Sequence, residues 1–164
     1  MIKIDQESLD RAWEKGPINY IQFITDKYTQ FLGSQITAEN IDLLNAEQHT
    51  LNAYRILLDE VMVGGFIQLI QNGYAPYILD GPFPYMIKKM WGFKDFGNFL
   101  YKVKNEYHKH KEELTADLSD EDFMALYEQY DSMNELGDAF LDDYQEEITP
   151  QIALYVRNHE LNFL

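Results

Sequence analysis

The stretch 123–144, FMALYEQYDSMNELGDAFLDDY, places Phe123, Leu126, Tyr127, Tyr130, Met133, Leu136, Phe140 and Tyr144 at steps of mostly three and four residues. Apolar side chains at that interval line one face of an α-helix, so the spacing predicts a long amphipathic helix with a weak point at Gly137. Ser119 followed by Asp122 resembles a capping box with Asp in place of the usual Glu, just ahead of the run. On an uninterrupted helix, Glu128, Asp131, Glu135, Asp138, Asp142 and Glu146 recur at intervals of 3, 4, 3, 4 and 4 residues and form one stripe of carboxylates. At 1.5 Å per residue that stripe is roughly 27 Å long. Glu121, near the start of the run, joins the same candidate partner-binding set.

The stripe belongs to a wider asymmetry. Between Glu112 and Val156 there are 14 Asp and Glu and no Lys, Arg or His, which accounts for nearly all of the net charge of -15. Residues 88–111 are the reverse, with 7 lysines and 2 acids. An exposed amphipathic helix ordinarily carries charge opposite its apolar face. Here, however, the charged face has no lysine at i+4, and like charges at that spacing each cost ~0.2 to 0.5 kcal/mol. The competing reading is neutralisation by the lysines of 88–111, within a monomer or across a dimer.

Outward from this block, the 164 residues are 46% apolar, enough to bury a substantial core, and the acidic stretches are interleaved with aromatic and aliphatic residues, so they are expected to fold. Trp13, Ile18, Ile21, Ile24, Tyr28 and Phe31 predict two helices joined at Gly16-Pro17 and stopped near Gly33. Thr37 reads as the N-cap of a central buried helix through Leu44, Leu51, Tyr54, Leu57, Leu58 and Val61. Gly64-Gly65 interrupts it, and a short helical turn then ends at Asn72-Gly73. The Pro- and aromatic-rich segment from Tyr74 to Tyr85 reads as loop, with a short helix around Met86 to Trp91. A helix from about Asp95 points its lysines outward, and Thr149-Pro150 reads as the start of a last helix. The expected fold class is all-α: one compact multi-helix domain over residues 1–164, with an irregular loop in the middle.

No cysteine is present, which excludes disulfides and a Cys nucleophile. The N-terminus lacks the apolar core of a secretion signal, no run is long enough to span a bilayer, and the charge opposes anionic lipid and bare DNA. A soluble, cytoplasmic protein with no membrane and no direct nucleic-acid partner is expected. Asp117, Ser119, Glu121 and Glu128 match positions 1, 3, 5 and 12 of a calcium loop, but Asp122 occupies the position that requires Gly. His108 and His110 point in different directions on a helix, so no zinc site and no cofactor are expected. No nucleophile elbow, phosphate loop or triad is readable. The aromatics from Tyr74 to Phe96 are expected to pack a core, the alternative being a ligand pocket.

Glu60, Gly64, Gly65, Gln68 and Asn72 form the most specific local pattern: a carboxylate, paired glycines, then two amides spaced i, i+4. A structural polar cluster is the preferred reading, and a small-ligand or enzyme site is the alternative. The segment Glu60-Val61-Met62-Val63-Gly64-Gly65-Phe66-Ile67-Gln68, with Asn72 beyond, resembles the Glu-Val-x-Asn-Gly-Gly-Phe-x-Gln motif of the bacterial DNA-mimic protein family, with Val63 where the family has Asn. Phe140 to Tyr144 and Tyr155 to His159 with Phe163 resemble that family's C-terminal helices, and the resemblance covers residues 37–164. It implies an all-helical, acidic, dimeric protein and, in the characterised member, sequestration of a transcription factor by mimicry of DNA charge. A non-enzymatic protein that engages a basic, DNA-binding partner is therefore expected. An immunity or adaptor protein differs only in its partner.

Overall fold

Gly16-Pro17 separates α1 (Gln6–Glu14) from α2 (Pro17–Leu32), with Pro17 in the first helical turn and Gly33 closing α2 at φ 72°. In this computed structural model, which describes residues 1–164, α3 (Ala46–Gln71) follows a 3₁₀ turn at Ile41–Leu43. Thr37 does not cap α3. Asn45 does: its Oδ1 accepts from the Gln48 amide at 2.8 Å while Gln48 Oε1 accepts from the Asn45 amide at 2.9 Å. This reciprocal box satisfies two otherwise unpaired donors, and it relocates the helix start by eight residues.

The segment expected to be loop is more helical than its prolines suggest. It holds α4 (Ala75–Ile78), α5 (Phe83–Tyr85) and a π-turn at Met86–Met90, each short helix beginning with Pro in its first two positions, where the missing N–H is harmless. α6 (Lys94–Lys109) and α7 (Lys111–Thr115) come next. The long helix predicted over 123–144 is in fact divided. α8 (Asp120–Gln129) is capped by the Ser119 hydroxyl and ends at Tyr130, whose φ of -120° and ψ of 64° leave the helical region. α9 (Asp131–Ala139) then runs on through a π-turn at Phe140–Tyr144 into α10 (Gln145–Asn158), so Gly137 is no break and Thr149-Pro150 is no start. Thr149 is buried inside α10, its hydroxyl against the Tyr54 hydroxyl. A 3₁₀ turn at Glu160–Asn162 follows. The fold class is all-α.

The chain divides into two compact units, Met1–Arg55 with Glu147–Leu164, and Ile56–Glu146. In the first, Tyr20, Ile21, Ile24, Tyr28, Leu51, Tyr54, Ile152, Val156 and Phe163 are fully buried. Arg157 links α10 to α1, donating to Asp10 at 2.6 Å and to Glu160 at 2.7 Å, with its guanidinium 5.6 Å from the Trp13 ring centre. The hydrogen bonds from Arg157 and then Gln6 hold the Asp10 carboxyl below the ordinary aspartate value of 3.8. A carboxylate depressed in the folded state stabilises the protein above the unfolded value and loses that contribution as pH falls through the folded one. The wild type is therefore expected to melt above Asp10→Asn by a constant margin at neutral pH, a margin that shrinks as pH falls below about 4. A margin that does not shrink would remove the pair from acid stability.

The second unit is built on Phe66, Phe83, Ile87, Phe96, Leu100, Val103, Met133 and Phe140, all buried. Phe96, Phe99, Phe140 and Tyr144 form one ring cluster, with Phe99 and Tyr144 stacked at 4.5 Å. The π-turn closes its backbone bond from Gln145 to Phe140, one residue farther than an α-helix would, within the stretch that presents two of these rings. No helix is long and apolar enough to cross a membrane.

Candidate functional site

The second unit turns on the two glycines. Gly64 lies at φ -143°, ψ 16° and Gly65 at φ 69°, ψ -171°, so α3 bends sharply inside its own length. Across the bend, Glu60 Oε2 accepts from Gln68 Nε2 at 2.7 Å and from Asn72 Nδ2 at 2.9 Å, which brings the three polar residues of the motif together on one oxygen. The Gly64 carbonyl, freed by the bend, accepts from the Tyr127 hydroxyl at 2.7 Å. A side chain at Gly137 would lie 3.6 Å from the Gly65 Cα, so α9 packs directly on the bend. Asn134 Nδ2 donates to the Tyr127 carbonyl at 2.6 Å across the break between α8 and α9. Sequence reading missed Tyr127, Asn134 and Gly137 as parts of this corner. The one signal in the sequence is a glycine within an apolar run, which marks close packing here and not a weak point.

That corner positions the acids. Glu121 and Glu128 are exposed on α8 and, seven residues apart, share a face. Asp131, Glu135 and Asp138 are exposed along α9, Asp142 on the π-turn and Glu146 in the first turn of α10. The single straight row expected from a continuous helix is not formed, because Tyr130 breaks the helix and the π-turn shifts its register. A bent surface takes its place, with α9 as its central segment and Asp120, Asp122 and Asp143 adding further exposed carboxylates. None of the 14 acids between Glu112 and Glu147 has an ion-pair partner within 4.0 Å.

Within the chain, the lysines of 88–111 form no ion pair with this face. α6 packs against α9, yet the cross-contact is made by Glu106, which accepts from the Ser132 hydroxyl at 2.8 Å and pairs with Lys109 at 3.2 Å. The Ser132 hydrogen bond, then Lys109 and His110, hold the Glu106 carboxyl below its usual value. The other candidate positions resolve simply. Residues 120–129 are helix, so the calcium-loop template does not form its loop, and Glu121 and Glu128 lie on α8. His108 pairs with Asp80 at 2.6 Å, whereas His110 lies against the Tyr130 ring. In the aromatic segment Ile78, Leu79, Phe83, Ile87 and Phe96 are buried.

Residues 42–159 match a protein-family model described as DMP19-like protein, a span that takes in the glycine corner and the whole acidic surface. A curated relative, the DNA mimic protein DMP19 of Neisseria meningitidis serogroup B (strain ATCC BAA-335 / MC58), is 30% identical over 128 residues. The alignment covers 77% of this chain and 76% of the relative.

Proposed function

The chain belongs to the DMP19-like protein family, and from that membership together with the unpaired acids of α8 to α10 we propose that it is a non-enzymatic protein that occupies the basic surface of a DNA-binding protein. Its carboxylates stand where DNA would present phosphates. The observation that carries this reading is the 14 acids without an intramolecular cation, since a face already neutralised has little left to offer a basic partner. The second unit, cornered at Gly64-Gly65, carries the acids up to Glu146 on packed helices, which would limit the entropy lost on binding. An enzyme or ligand site at Glu60, Gln68 and Asn72 is less favoured, because one Glu60 oxygen already takes both amides.

The test is capture from native lysate on the immobilised protein at low salt, followed by elution with duplex DNA. A retained DNA-binding protein should be released by DNA, and its affinity should fall about a hundredfold or more over a moderate rise in salt. Retained proteins indifferent to both DNA and salt would refute charge mimicry.

A further inference from the structure

A DNA mimic needs no cations, because DNA has none on its backbone. Yet α6 presents Lys94, Asn98, Lys102, Asn105 and Lys109, all exposed, at intervals of 4, 4, 3 and 4 residues. Five residues at that spacing form one helical stripe about 22 Å long. Beside it, Lys88 lies with its ammonium 5.5 Å from the centre of the Tyr101 ring. Glu106 is turned aside to Ser132, and Asp95 is the one other acid on the helix. Apart from Lys109 with Glu106, no lysine between 88 and 111 has a carboxylate within 4.0 Å, although α6 packs on an element that carries unpaired acids.

Ordinary explanations account for little of this. At a net charge of -15 the chain is already far from neutrality, so lysines are not needed for solubility. The helix dipole favours Lys109 in the last turn of α6, but Lys94 is the first residue of α6 and Lys111 the first of α7, where a cation is disfavoured. Neutralisation of the neighbouring acids would have produced ion pairs. Charge complementarity then points outward, to an anion. Nucleic acid is the poorer candidate, since a long polyanion is repelled by the strongly negative field of a chain with a net charge of -15. A short acidic segment carries few charges, and if tethered to a protein already held by the acidic face it arrives at high effective concentration.

We infer that the lysine and asparagine stripe of α6 docks an acidic segment of the same partner whose basic surface the α8 and α9 carboxylates engage. The inference rests on the proposed function and adds what mimicry alone lacks, a means of choosing among basic proteins. A row of carboxylates attracts every cationic groove. A second stripe of opposite sign on the same unit rejects those without acids beside the groove.

Three synthetic peptides test this by fluorescence anisotropy at low salt. One is a lysine block, the second joins that block through a helical spacer to a glutamate block, and the third has glutamine in place of glutamate. Wild type should bind the lysine-glutamate peptide roughly tenfold more tightly than the lysine-glutamine peptide. The variant Lys94→Gln/Lys102→Gln/Lys109→Gln should bind the two equally while keeping its affinity for the lysine block, and Lys102→Gln alone should lose part of the difference. If the glutamate block adds nothing in wild type, or its advantage survives in the triple variant, the inference fails and the proposed function stands. If the lysine block alone does not bind wild type, both fail. Retention of duplex DNA by wild type but not by the triple variant would overturn the inference in favour of nucleic acid.

Discussion

Gly65→Ala is expected to lower the melting temperature by roughly 2 to 12 °C, a large loss for a one-methyl change. The position combines φ 69° with ψ -171°, a region that is essentially closed to residues with a Cβ. A Cβ built there meets nothing within 4 Å, so the cost is conformational and not steric. Strain of that kind is worth about 1 to 3 kcal/mol, against a total stability of about 5 to 15 kcal/mol. Gly64→Ala offers the contrast. Its φ of -143° is open to alanine, but the new Cβ would crowd Gln68 along its length, from Oε1, which must swing off Glu60, to a Cβ only 2.7 Å away. A loss is expected there too, relieved only in part in a Gln68→Ala background, because alanine removes the crowding amide but keeps the Cβ 2.7 Å away. Calorimetry of the wild type, of the Gly64→Ala, Gly65→Ala and Gln68→Ala variants, and of each glycine variant combined with Gln68→Ala decides between the two mechanisms. Relief of the Gly65→Ala loss in the Gln68→Ala background would mean that crowding and not backbone geometry governs the bend there.

The bend also explains what could and could not be read from residues alone. Helix class, the pairing of α1 with α2 across Gly16-Pro17 and the stop at Gly73 were legible because Gly and Pro act locally through φ. So was the grouping of Glu60 with Gln68 and Asn72, since only a turn at the glycines returns both amides to the carboxylate. The break at Tyr130 was not legible. It has no Gly or Pro, and it is held by Asn134 bonding to the Tyr127 carbonyl and by the Tyr127 hydroxyl reaching Gly64, a contact between residues 63 apart in the chain. The π-turn was hidden likewise, because Phe140 and Tyr144 also suit an ordinary i, i+4 spacing until Phe96 and Phe99 dictate where the rings must sit. Exposure of the acids followed from their opposition to the apolar face. Their bent arrangement depended on tertiary contacts no local pattern encodes.

The acidic face should weaken the fold that carries it, and this supplies the sharpest test of its role. Neutralising Glu128, Glu135, Asp138 and Asp142 together, as Glu→Gln and Asp→Asn, is expected to raise the melting temperature by about 2 to 5 °C at low salt. Glu135 and Asp138 are three apart on α9, and Glu128 stands in the last turn of α8, where the dipole disfavours a negative charge. Asp131 is kept, because the start of α9 favours it. None of the four has a cation partner, so their removal strands no opposite charge. High salt should erase the gain by screening the repulsion in the wild type. The same protein should bind a captured DNA-binding partner at least about a hundredfold more weakly, since each lost contact removes attraction that the partner's lysines and arginines would otherwise feel. Gain in stability and loss of binding must appear together. A fall in melting temperature would show that these carboxylates hold the structure, and a stabilised variant with full affinity would place the partner's contact on another surface.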